Sequence, residues 1–170
     1  MMPLPQKFDQ NEWFLIIHIL LAYSVVLLLP RRFPFSITVL LMLFGSTVAR
    51  LSDHLLASPR LDLYNLMDTP KYDFFDLLTY FSYAPFAYLF VYFYDRWKIK
   101  GYWIVLYLFL CTSGGTLFEW VNKVFHVFTY KGWRLTFSFT VYLATQCVAL
   151  LFYHWIKRHH VNKYEVKGSQ

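Results

Sequence analysis

Charge is scarce in this chain. Asp, Glu, Lys and Arg together make up 15% of its 170 residues, against about 25% in an ordinary soluble domain. That leaves too little charge to cover the surface of a water-soluble globule. The matching excess, 58% apolar residues, excludes an intrinsically disordered chain. Cysteine is scarcer still, with only Cys111 and Cys147, which rules out a disulfide-scaffolded secreted module. Also missing are a P-loop, a Gly-rich dinucleotide fingerprint, a Cys-x-x-Cys-His haem attachment site, a Gly-x-Ser-x-Gly elbow and an HExxH helix. No motif therefore calls for a cofactor. There is no low-complexity stretch, internal repeat or Gly/Ser linker to divide the chain.

What is present is a series of apolar runs. A bilayer core of about 30 Å needs roughly 20 mostly apolar residues in a helix. Five runs meet that demand, at about 13–29, 33–49, 74–94, 101–118 and 135–156. The expected fold is all-α: residues 1–170 as a single integral membrane domain, a polytopic bundle of about five transmembrane helices. The second run ends at Arg50, and its helix is open to continuing beyond it. Asp9 and Glu12 precede the first run, and Pro30-Arg31-Arg32 follow it in place of a small-residue cleavage site. It therefore reads as a retained span, not a signal peptide. Trp13, Trp97, Trp103, Trp120, Trp133 and Trp155 all fall near predicted boundaries, where indole satisfies both its apolar ring and its N–H.

The chain is basic, with a formal charge of +6, but its cations sit between apolar runs, so the expected partner is lipid and not nucleic acid. With the N-terminus outside, nine Lys and Arg fall inside and seven outside. The inside connections are the shorter and denser ones, which favours an outer N-terminus and a cytoplasmic C-terminus. The Lys157-Arg158-His159-His160 run reads as a flank touching anionic headgroups.

Small and weakly polar residues mark helix contacts in lipid. They form stripes at helical spacing: Gly45 and Ala49; Asp76, Tyr80, Tyr83 and Ala87; Cys111 and Gly115; Ser138, Tyr142, Thr145 and Ala149. Ordinary helix packing is the leading reading of these stripes, and a substrate path the alternative. Gly114-Gly115 reads as close packing in preference to a broken helix. The two cysteines lie at mid-depth, where they could touch, though a thiol there usually serves as a small hydrophobe. His18, deep in the first span, is expected to hydrogen-bond a neighbouring helix.

Asp53 extends the first stripe by four residues and Glu119 the third. With Asp76, they bring three carboxylates to one end of the bundle, near His54 and His126 and within range of Arg50, Lys123, Arg134 and Trp120. Intramembrane charge is costly and often functional. Three chemistries remain open for this constellation. One is a metal site on carboxylates and His54 or His126, with an activated water. Another is an acid–base pair or cation entry site. The third, a set of structural ion pairs to Arg50, Lys123 or Arg134, is favoured. The segments 51–72 and 121–128 carry apolar spacing suited to short interfacial helices that could cover the cluster.

Phe118-Glu119-Trp120, Lys123, Thr129-Tyr130-Lys131-Gly132-Trp133-Arg134 and the later Ser138 and Tyr142 resemble a family of small uncharacterised multi-spanning membrane proteins of endospore-forming Bacillus- and Clostridium-type bacteria. The resemblance implies a bacterial cytoplasmic-membrane protein and supplies no catalytic residues. The leading function is then a structural, assembly or accessory subunit, whose partners are the bilayer and other membrane proteins or further copies of itself. The rivals are a small transporter or channel component, and a membrane-embedded hydrolase with an outward acidic and histidine site.

Overall fold

The computed structural model describes residues 8–58, 61–67 and 74–167, with side chains described as far as His159. Lys7, Arg60 and Lys71, which are counted in the charge reading above, lie outside the described residues. Five helices account for nearly all of the rest: α1 (Gln10–Leu28), α2 (Phe35–Leu56), α3 (Phe74–Arg96), α4 (Trp103–Val124) and α5 (Leu135–Lys167). All five are long and apolar enough to cross a membrane, α5 through its first 25 residues. The bundle is helical because lipid offers no partner for backbone N–H and C=O groups, and a helix satisfies them within one segment.

Local sequence sets the ends. Asp9 caps α1 by accepting from the Asn11 amide, while Glu12 reaches back to accept from the Asp9 amide at 2.9 Å. This capping box satisfies amides that a helix start otherwise leaves orphaned. At the far end of α1, Pro30 and Pro34 bracket a short connection into α2, and α2 runs past Arg50 to Leu56.

α3 is the central helix, with buried residues around its whole circumference, from Phe75 and Asp76 to Tyr92 and Tyr94. Pro85 lies inside it. A helical proline leaves the carbonyl four residues earlier without its amide partner, and here that carbonyl belongs to Phe81. The Tyr23 hydroxyl of α1 donates to it at 3.1 Å, so a neighbouring helix replaces the missing bond.

α1, α2 and α3 pack as one group and α4 with α5 as a hairpin, and the seams between the two groups are thinner. Two buried clusters tie the ends. One centres on Leu41, Val91, Tyr92 and Tyr153; the other sets Leu15, Met67, Phe75 and Val127 together. Apolar side chains on the outer faces, such as Leu20, Leu28, Phe35, Val105 and Leu151, are exposed, as lipid-facing positions must be.

The expected interfacial helices give way to strand pairing. Tyr64–Leu66 (β1) and Phe128–Tyr130 (β2) form an antiparallel ribbon, with Leu66 opposite Phe128 and Tyr64 opposite Tyr130. The Leu63 carbonyl accepts from the amides of Lys131, Gly132 and Trp133. Apolar spacing alone cannot distinguish a half-buried strand from a short amphipathic helix. The partner, more than 60 residues away, decides it, because pairing satisfies the backbone of both segments at once.

Candidate functional site

Beneath the ribbon lies a cleft of about 490 Å³ between α2, α3, α4 and α5. The small and polar residues at helical spacing supply its walls. Gly45, Ala49 and Asp53 of α2 line it, as do Tyr80, Tyr83 and Ala87 of α3. Cys111, Gly115 and Glu119 face it from α4, and Ser138, Tyr142, Thr145 and Ala149 from α5. Away from the ribbon its walls are mainly apolar and aromatic, reaching Phe93, Trp97 and Tyr107, with Thr145 and Gln146 among them.

Glu119 is 7% exposed, and among the described residues its hydrogen bonds all come from hydroxyl groups. Tyr130 of β2 donates to its Oε1, Ser138 donates to the same oxygen at 2.6 Å, and Tyr142 donates to Oε2 at 2.5 Å. Trp133 Nε1 donates to Ser138 Oγ at 2.7 Å. An indole N–H can only donate, so Ser138 must pass its own proton toward the carboxylate. Three donors and no acceptor on Glu119 suit a carboxylate anion. Tyr83 joins through the Tyr142 hydroxyl. No cation lies within ion-pair distance of Glu119 among the described residues.

Asp53 faces the same cleft with a different set of partners. Tyr80 donates to its Oδ2 at 2.5 Å, and Arg50 Nη1 lies 3.6 Å from that oxygen and 3.2 Å from the Tyr80 hydroxyl. The Arg50 guanidinium also sits 5.3 Å from the Tyr80 ring centroid. The Tyr64 hydroxyl faces the carboxylate from β1, and Asp53 Oδ1 is buried without a hydrogen bond. Burial, and then the neighbouring carboxylates, push the Tyr64 hydroxyl well above the usual phenol range. Burial and the hydrogen bond to Glu119 do the same to Tyr130. Both therefore remain protonated donors at any physiological pH.

Of the residues singled out from sequence, Asp53 and Glu119 share the cleft. Asp76 is buried at the ribbon end of α3 but is not part of the cleft wall, which begins on that helix at Thr79. His54 and His126 are exposed, and neither imidazole bonds to Asp53 or Glu119. Lys123 is exposed with its Nζ 4.8 Å from the Tyr130 ring centroid, while Arg134 and Trp120 are also exposed. Among the described residues no group of three or more His, Cys, Asp or Glu side chains is arranged to hold a metal ion. Cys111 and Cys147 are both free thiols, the first half-buried and the second exposed. His18 is buried, but its Nδ1 lies 3.1 Å from the Phe14 carbonyl of its own helix, in place of the expected bond to a neighbour.

Sequence reasoning missed the hydroxyl groups that organise both carboxylates. Tyr80, Tyr83, Ser138 and Tyr142 were already visible as stripe positions, but Tyr64 and Tyr130 depend on the ribbon. It also missed Asp95, one residue past the third apolar run, which accepts from Arg32 Nε at 2.6 Å and Lys157 Nζ at 2.8 Å. No protein-family model matches the chain, and no curated protein or solved structure is significantly similar to it.

Proposed function

We propose that this multi-pass membrane protein binds an amphipathic organic cation within its cleft, as a small transporter or carrier component. In this reading the ligand's apolar body lies among the aromatic walls, and its positive head lies beside Glu119 and Asp53. The observation that carries it is Glu119: a buried carboxylate at the polar end of an apolar cavity, hydrogen-bonded by three neutral groups and with no cation at ion-pair distance among the described residues. An ionised group withdrawn from water is costly unless a counter-charge meets it. Arg50 answers Asp53, which leaves the cleft with one negative charge in excess. Tyr64, Tyr80 and Tyr83 add π-faces suited to an alkylammonium or similar head. The thin seams between the two helix groups offer entry from the bilayer. The resemblance noted in the sequence supports a bacterial cytoplasmic membrane, and the short connections rich in Arg and Lys, which gather at the end opposite the ribbon, favour the ribbon end outside.

A second reading keeps Glu119 as a structural pin in an assembly or accessory subunit, because it joins α4, β2 and α5. Tetraphenylphosphonium and tetraphenylborate, alike in shape and opposite in charge, separate the two. In neutral detergent the phosphonium is expected to quench intrinsic fluorescence saturably, and Glu119→Gln to weaken that binding about tenfold, or about 1.4 kcal/mol. A loss of thermal stability in Glu119→Gln with no binding of either probe to the wild type would leave the structural reading standing alone.

A further inference from the structure

The end of the bundle remote from Glu119 contains a second cavity, of about 480 Å³, between the α1–α2 connection, the last turn of α3 and α5. Among the described residues, Arg31, Arg32, Arg96 and Lys157 line it with a single carboxylate, Asp95, an excess of three positive charges. Asp95 organises two of the four cations. Its Oδ2 accepts from Arg32 Nε at 2.6 Å and its backbone carbonyl from Arg32 Nη2 at 2.9 Å. Its Oδ1 accepts from Lys157 at 2.8 Å and from Tyr153 at 2.5 Å. One carboxylate cannot neutralise what it gathers. Arg31 and Arg96 are exposed and make no ion pair among the described residues.

A second observation points the same way. α2 begins at this cavity, with Pro34 as its N-cap residue and no side chain capping its first turn; both Pro34 and Ile37 belong to the cavity wall. The first amides of a 22-residue helix are thus left to another acceptor, at the positive end of its dipole. Uncapped amides and clustered guanidinium groups are both fitted to a tetrahedral oxyanion.

We infer that this cavity binds a phosphate-bearing anion, with Arg31 and Arg96 supplying the uncommitted charge and Asp95 holding Arg32 and Lys157 in place. Two sources share that chemistry, the headgroup of an anionic phospholipid and free inorganic phosphate. The cavity's place at the end of the spans, at headgroup depth, favours the lipid. The inference does not depend on what the cleft beneath the ribbon binds.

Thermal unfolding of the full chain in a neutral detergent tests it, because a ligand bound only to the folded state raises the midpoint. Phosphatidylglycerol is expected to raise it by several degrees and an equal amount of phosphatidylcholine to leave it unmoved. Millimolar sodium phosphate matching the phosphatidylglycerol shift would support the same site with free phosphate as its occupant. The double variant Arg31→Gln with Arg96→Gln is expected to keep the lipid-free midpoint, since the ion pairs and hydrogen bonds of Asp95 run to Arg32, Lys157 and Tyr153, and to lose the shift. An unchanged shift in that variant, an equal response to phosphatidylcholine, or no response of the wild type to either anion would overturn the proposal.

Discussion

At Gly45 the α2 and α3 backbones come so close that a Cβ would lie 2.7 Å from both the Tyr83 carbonyl oxygen and Ala87 Cβ. One of those atoms is backbone and the other is the first atom of a side chain, so neither can swing aside. Gly45→Ala is therefore expected to destabilise the protein by about 1–3 kcal/mol, the usual cost of overpacking. It should lower the thermal midpoint in detergent. A Cβ on Gly114 meets nothing within 4 Å, so Gly114→Ala should be neutral or, by up to about 1 kcal/mol of helix propensity, stabilising. Equal effects in the two variants would contradict the α2–α3 contact. Sequence alone marked both glycines as packing candidates. It could not rank them, because their difference lies entirely in what the neighbouring helix places opposite. The same holds for the carboxylates: their stripe positions were legible, but the hydroxyl groups that hold Glu119 come from two other elements.

The ribbon shows the same limit one level up. Ladder hydrogen bonds run from the Met67 amide to the Val127 carbonyl and from the Lys131 amide to the Leu63 carbonyl. Leu66 and Phe128, directly opposite, are therefore a non-hydrogen-bonded pair, the class with Cα atoms about 4.5 Å apart and within disulfide reach. With Cys111 and Cys147 replaced by serine, Leu66→Cys with Phe128→Cys is expected to form an intramolecular disulfide under mild oxidation, read as a gel-mobility shift lost on reduction. Persistent free thiols would show that the segments do not pair. By contrast, the Asp62–Lys131 ion pair at the ribbon edge is 2.6 Å long but about half-exposed on both sides, so it contributes at most about 1 kcal/mol. The ribbon matters because it carries Tyr64 to Asp53 and Tyr130 to Glu119, closing the polar end of the cleft.

For the molecule as a whole, an odd number of spans sets the two ends of the chain on opposite faces. Phe8 packs on Phe75 at the ribbon end, whereas Lys157 meets Asp95 at the other. Cysteine replacements at Asp62 and Lys100 should therefore react with an impermeant thiol reagent from opposite sides of a sealed membrane, with position 62 reached from outside in the orientation proposed above. Labelling of both from one face would contradict five spans; reversed labelling would keep the spans and invert the protein.

The sequence by itself determined that the chain forms long apolar helices, where each begins to within three residues, and which faces carry small and polar side chains; α2, α4 and α5 run six to eleven residues past the ends of their apolar runs. Helix formation, starts and faces are local matters of hydrophobic run length, proline placement and helical spacing, readable along one strand of text. Only the tertiary structure decided that α2, α3, α4 and α5 turn those faces toward a single cleft, that two loops more than 60 residues apart pair as strands, and that Glu119 meets hydroxyl groups while Asp95 meets cations. Those outcomes depend on which backbones approach and which donors arrive from elsewhere in the chain. In a membrane the hydrophobic effect does not select among such arrangements; close packing and the satisfaction of polar groups do.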